Sequence, residues 1–176
     1  MTREKRLHFK AALATWVSEN WAVFHVTAEL PPNRSRAELE DRIREWYIRI
    51  NRRYLGRNWC RPENADRRIS GVVFFEQGAC GWHAHMLVKP PSRIDPLKFA
   101  KDASAFWNGK SQPGTPPGTI SGITADGKML VQVIGNSPSE RVRVAGYDAK
   151  SLEFHDDVDA SRWKFIDQLT ALRRQR

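Results

Sequence analysis

Cysteine is scarce: the 176 residues contain two, Cys60 and Cys80. Two thiols cannot build a disulfide framework, so a reducing, cytoplasmic setting is the expectation. Long apolar runs are missing as well. No stretch approaches the roughly 18 consecutive apolar residues of a transmembrane helix, and no membrane partner is expected. The charged start, Met1 to Arg6, is not followed by an unbroken apolar segment before Ser18-Glu19-Asn20, which argues against a secretory signal. Acids are sparse where bases are dense. Seven arginines lie between Arg42 and Arg61, and no acid follows Glu45 in that span. The chain as a whole carries 29 Lys+Arg against 20 Asp+Glu, a formal charge of +9. A polyanion such as DNA or RNA is the natural counterpart, with a solvated basic helix face as the plainer reading. Hydrophobic content of 40%, with seven Trp and eight Phe, excludes a disordered chain, and the length fits one domain.

The periodicity predicts an α+β fold. Residues 7–17 suit a short helix or arm. From Trp21 to Leu30 the pattern alternates, with Phe24, Val26 and Ala28 on one face and His25, Thr27 and Glu29 on the other. Leu39, Ile43, Trp46, Ile50 and Tyr54 recur at helical spacing after Ser35. Residues 56–68 read as a loop. Ile69–Gln77 and Trp82–Lys89 read as a β-hairpin about Gly78-Ala79-Cys80-Gly81. A helix is expected over Pro96–Trp107, then a Pro/Gly-rich mobile loop over 109–128 and a strand over Met129–Ile134. Ser137 and Glu140 suggest a capping box opening a helix to about Leu152. Its apolar stripe would be Val142, Ala145, Ala149 and Leu152. A last helix from about Ala160 would carry Trp163, Ile166, Leu169 and Leu172. The order β-α-β-β-α-β-α suggests an antiparallel sheet with helices packed on one face.

The chemistry concentrates in His83-Ala84-His85. Side chains two apart on a strand share a face, so both imidazoles oppose the apolar set Trp82, Ala84, Met86 and Val88. If Gln77 pairs with Trp82 across the turn, Glu76 pairs with His83 on the imidazole face. Two imidazoles and a carboxylate suit Mn²⁺ well and Mg²⁺ more weakly. A one-residue slip would turn Glu76 away. Without the metal, these are a surface histidine pair beside an unrelated acid. On the helix that follows Ser137, Arg143, Tyr147 and Lys150 fall on the side opposite its apolar stripe. A tyrosine between two cations is equipped to attack phosphorus, and it reads equally as a half-buried packing residue.

Together these elements resemble the HUH endonucleases. His83-Ala84-His85 is similar to their His-hydrophobic-His signature, Glu76 to the acidic third ligand of the replication initiators, and Tyr147-Asp148-Ala149-Lys150 to their Tyr-x-x-Lys motif. The resemblance covers roughly residues 20–155, leaving 1–19 as an arm or helix and 156–176 as a C-terminal helix and basic tail. It implies a ferredoxin-like fold, related in layout to RNA-recognition domains. It also implies a Rep-type, single-tyrosine enzyme that nicks and rejoins one DNA strand to initiate rolling-circle replication of a plasmid, phage or integrated element. Tyr147 would form the 5′-phosphotyrosine bond. Glu76, His83 and His85 would hold a divalent ion (Mn²⁺ or Mg²⁺), and Lys150 would neutralise the phosphate or phenolate. Arg143, Arg52, Arg53, Arg57 and Arg61 are the candidate DNA contacts, and the DNA would be single-stranded or an origin hairpin.

The departures are specific. Alanine is a small residue between the two histidines, and no second tyrosine stands near Tyr147. No fused helicase is present, so unwinding would fall to a separate helicase and the replication machinery. Gly122 to Lys128 approaches a phosphate-binding loop but meets Met129 where Ser or Thr is required, and no nucleotide is expected. A zinc site at Cys60 and Cys80 lacks the usual pairing. His25 and Glu29 could line a DNA groove or simply face solvent, and Trp59 and Trp107 could stack on bases or pack in the core. The competing readings are a single-tyrosine transposase, a non-catalytic RNA-recognition-type binding domain, and a metal-dependent hydrolase working without the tyrosine. The transposase tends to carry its third ligand on the tyrosine helix.

Overall fold

The computed structural model describes residues 2–20, 24–79, 81–90, 94–107, 128–134, 137–148 and 163–171. Helix α1 (Arg3–Asn20) precedes β1 (Phe24–Glu29) and α2 (Arg36–Leu55). A 3-10 turn over Pro62–Arg67 interrupts the stretch expected to be loop. The hairpin β2 (Ser70–Gly78) and β3 (Gly81–Lys89) follows, then α3 (Pro96–Trp107), β4 (Lys128–Val133), α4 (Pro138–Asp148), β5 (Trp163–Phe165) and the short α5 (Gln168–Ala171). The strands form one sheet in the order β4-β1-β3-β2-β5, antiparallel at every junction. The first four strands and their two crossover helices make the ferredoxin-like arrangement.

Period-two alternation builds the main core. Phe24, Val26, Ala28, Val73, Phe75, Ala84, Met86 and Val88 point to one side of the sheet and are fully buried. Leu39, Ile43, Trp46 and Ile50 of α2, with Phe99, Ala103 and Trp107 of α3, close over them. The Val, Leu, Ile, Phe and Met side chains among these each contribute about 1.5–3 kcal/mol on burial. Trp46 Nε1 donates to the Ala103 carbonyl at 3.0 Å, which satisfies its one polar atom and ties α2 to α3. Helix α2 starts in a complete capping box of Ser35 and Glu38. Trp59 and Trp107 belong to this core, so neither is available to stack on bases.

The opposite face is also partly covered, which extends the expectation of helices on one face. Leu13 of α1 and Ala145 of α4 pack with Val72, Phe74, Leu87 and Ile134. The N-terminal segment is therefore a docked helix rather than an arm. On α4 the buried residues are Arg141, Ala145 and Asp148, spaced by four and three, while Val142 is exposed. This corrects the expected stripe at Val142 and confirms it at Ala145; Ala149 and Leu152 lie outside the described residues. Ser137 Oγ meets Ser139 Oγ at 2.6 Å, and the Ser137 carbonyl accepts from the Glu140 and Arg141 N–H groups.

The expected final helix is corrected over Trp163–Phe165. These residues pair with Phe74, Val73 and Val72 at the edge of β2. Trp163 then packs with the α1 side of the sheet, Lys164 reaches Glu40 of α2 at 2.7 Å, and Ile166 and Leu169 enter the main core. Spacing by three thus comes from strand, turn and one helical turn in succession. Leu172 and the basic end, like most of the Pro/Gly-rich 109–128 segment, lie outside the described residues.

Candidate metal centre and tyrosine cleft

The hairpin has the register that the turn predicts. Gln77 pairs with Trp82, Glu76 with His83 and Phe74 with His85, and the ladder closes one pair further at Gly78 and Gly81. Gly81 has φ +110°, a conformation open to glycine. A Cβ on Gly78 would press on the His83 ring at 3.2 Å, so glycine there leaves room for the imidazole. The face carrying these groups runs across three strands, because β1 pairs with β3 so that Glu29 stands opposite His83, Thr27 opposite His85 and His25 opposite Leu87.

One carboxylate oxygen serves both histidines. Glu76 Oε2 lies 3.3 Å from His83 Nε2 and 3.8 Å from His85 Nε2. Ligands about 2.0–2.2 Å from a shared ion stand roughly 3.0–3.6 Å apart; the Glu76–His83 pair falls in that range and the Glu76–His85 pair is slightly wider, so the three groups are positioned to bind one divalent cation. His85 Nδ1 meets Thr27 Oγ1 at 3.2 Å. A partner on one ring nitrogen fixes the ring and directs the other nitrogen, here toward Glu76. The hydrogen bond to Glu76 holds the His83 pKa above its ordinary value, against burial, which lowers it. Burial pulls His85 below the ordinary value, which keeps it neutral and ready to ligate.

A second group shares His85. His25 Nε2 lies 2.9 Å from Asp148 Oδ1, and the donor atoms of His25, His85 and Asp148 all lie within 4.8 Å of one another. The His25 and His85 rings stack at 5.5 Å with 8° between their planes. Burial pushes His25 down, but the hydrogen bond and charge of Asp148 and the Gln132 contact outweigh it and leave its pKa raised.

Tyr147 stands over this face. Its ring meets His85 edge-on at 6.0 Å, and the residue is 51% exposed. It lines a cleft of about 470 Å³ together with Glu76, His83, His85, Thr27 and Glu29. Arg143 joins Tyr147, His25 and His85 around an adjoining cavity of about 280 Å³. Lys150 lies outside the described residues. Arg52 and Arg53 end α2, which packs across the sheet from the cleft, and Arg57 and Arg61 follow it in the chain. Arg53 lies 3.8 Å from Asp102, and Arg61 lies 3.7 Å from Glu63.

The expected metal residues and tyrosine are therefore together, while the four α2-side arginines are elsewhere. Asp148 was not singled out from the sequence. Its signal was weak, since an acid after Tyr147 at a helix end reads as solvated. Compared with protein-family models, curated proteins and solved structures, the chain matches none. No helix among the described residues is long and apolar enough to cross a membrane.

Proposed function

We propose that the protein is a metal-dependent endonuclease that nicks and rejoins single-stranded DNA through Tyr147. The observation that carries this reading is the placement of an exposed tyrosine in the same cleft as Glu76, His83 and His85, its ring 6.0 Å from that of His85. Glu76, His83 and His85 would hold a divalent ion, Mn²⁺ suiting the nitrogen-rich set best. The bound ion would polarise the scissile phosphate and offset its charge. The Tyr147 oxygen forms a bond to phosphorus as the bond to the 3′ oxygen breaks. The products are a 5′-phosphotyrosine ester and a free 3′-hydroxyl. The ester retains the bond, so a 3′-hydroxyl can reverse the step and join strands. Arg143, which lines the adjoining cavity with Tyr147, would pair with a phosphate, and Lys150 is assigned the same work by its spacing. The biological task that fits is initiation of rolling-circle replication on a plasmid, phage or integrated element, with a separate helicase.

One observation favours a second reading, the transposase. Asp148, on the tyrosine helix, also has a donor atom close to His85. Glu76 fits the ion position with two histidines on its own hairpin, which supports the initiator.

The test is covalent capture. Protein, Mn²⁺ and a diverse pool of labelled single-stranded oligonucleotides should give a denaturation-resistant protein–DNA band that needs metal and vanishes in Tyr147→Phe. Cutting without an adduct would favour a hydrolase, and tight binding without cutting a recognition domain.

A further inference from the structure

We propose that His25 and Asp148 are positioning residues, a clamp between sheet and helix that sets the orientation of Tyr147; this rests on Tyr147 being the nucleophile. Asp148 is fully buried at the end of α4, and His25 Nε2 on β1 holds its Oδ1 at 2.9 Å. His25 Nδ1 lies 3.3 Å from Gln132 Oε1 on β4. A chain of side chains thus runs from β4 through β1 to α4, and its central ring lies flat against His85.

Helix geometry makes this contact decide where the tyrosine points. Consecutive residues of an α-helix are about 100° apart around its axis. With Asp148 turned into the sheet, Tyr147 must point along the cleft wall. A buried carboxylate is tolerated only while its partners hold it, so rotating α4 would cost Asp148 its contact with His25. Ala145 and Arg141, one and two turns back, are buried on the same side and oppose the same rotation.

The alternative role for the pair is as metal ligands with His85. It is disfavoured because two cations sharing one imidazole would repel at short range, and His85 Nε2 already faces Glu76.

The experiment compares wild type with His25→Gln and Asp148→Asn in three readouts. These are single-turnover adduct formation, Mn²⁺ affinity and stoichiometry by calorimetry, and ¹⁹F spectra of protein grown with 3-fluorotyrosine. The chain has three tyrosines, so Tyr147 is assigned by its loss in Tyr147→Phe. Each variant should slow adduct formation by about 10- to 100-fold with Mn²⁺ affinity within about twofold, and the double variant should be no slower than the worse single one. The Tyr147 resonance should shift or broaden while those of Tyr47 and Tyr54 stay. A tenfold or greater loss of Mn²⁺ affinity, or a lost equivalent of metal, would make the pair ligands and overturn the clamp. An unmoved Tyr147 resonance would overturn it too. A wild type that forms no adduct, with the resonance still moving in the variants, would retain the clamp and remove the nucleophile. If Asp148→Asn does not fold, His25→Gln decides, since His25 is part-exposed.

Discussion

Glu76 and His83 face each other across the β2–β3 hairpin, carboxylate oxygen to Nε2 at 3.3 Å, with His85 Nε2 at 3.8 Å from the same oxygen. Glu76 thereby supplies the only negative charge of that three-donor set. Loss of a partner that merely orients a ligand weakens metal binding by about 10- to 100-fold, so loss of a direct ligand should do at least as much. Glu76→Gln keeps the shape and removes the charge. Its Mn²⁺ affinity, measured by calorimetry, should fall at least tenfold, with unfolding of the metal-free protein little changed at a pH well above the raised His83 value. Unaltered Mn²⁺ affinity would remove Glu76 from the centre.

The same contact sets a pH dependence. The Glu76 hydrogen bond raises the His83 pKa, and that proton must leave before the ring can accept a cation. Metal affinity should therefore climb as pH rises through the raised His83 value. His85, lowered by burial, adds no comparable proton competition above its ordinary value. In metal-free protein the sign is reversed. The raised His83 contributes stability that is full below the ordinary histidine value and lost as pH rises through the folded one. The gain in melting temperature on adding Mn²⁺ should be larger at pH 8 than at pH 6. A gain that shrinks with rising pH would contradict this assignment.

The hairpin half of the site was legible because two local rules agree there. Trp82, Met86 and Val88 need the core, which forces His83 and His85 to the other face, and the glycine-flanked turn fixes the partner of each. The other half depends on which distant strand joins β3. The stacking of His25 on His85 requires β1 beside β3, a pairing 54 to 64 residues away that no local pattern specifies. Asp148, fully buried at the end of α4, meets His25 of β1. The error over Trp163–Phe165 has the same origin. A three-residue spacing suits a helix, but the unpaired edge of β2 offers backbone partners that an isolated helical turn lacks.

Asn51 ties α2 to the start of the hairpin. It is fully buried, its Nδ2 donates to the Tyr47 carbonyl at 2.9 Å, and its Oδ1 accepts from the Ile69 N–H at 3.0 Å. Asn51→Ala leaves that buried backbone donor without its acceptor. The expected loss is roughly 1–3 kcal/mol in denaturant unfolding, with Mn²⁺ affinity retained because the site lies on the other face. A stability unchanged within about 0.5 kcal/mol would show that the N–H finds another acceptor.

Gly71 is enforced by the strand beside it. A Cβ there would collide with the Leu87 carbonyl oxygen of β3, backbone against backbone. Gly71→Ala must push β2 and β3 apart, and a strain of about 1–3 kcal/mol is expected in urea unfolding. Leu87 lies two residues beyond His85 on the same face, so the displacement should reach the metal centre and weaken Mn²⁺ binding as well. Normal stability would mean the strands separate there at no cost.

The arginines divide by layer. Arg143 lines the cavity that holds Tyr147, His25 and His85, whereas Arg52 lies in the last turn of α2, on the other side of the sheet, and Arg57 follows that helix. A cation at the cleft can contact the phosphate at the reacting position; one across the sheet can act only through the general field or a wrapped strand. Arg143→Ala should weaken binding of a cleavable oligonucleotide, reduce the slope of log affinity against log salt by about one, and slow adduct formation at saturating DNA. Arg52→Ala with Arg57→Ala should leave the saturating rate unchanged, whatever it does to affinity. Equal rate losses in both variants would mean that the strand passes around the edge of the sheet and that the α2 side takes part in holding it.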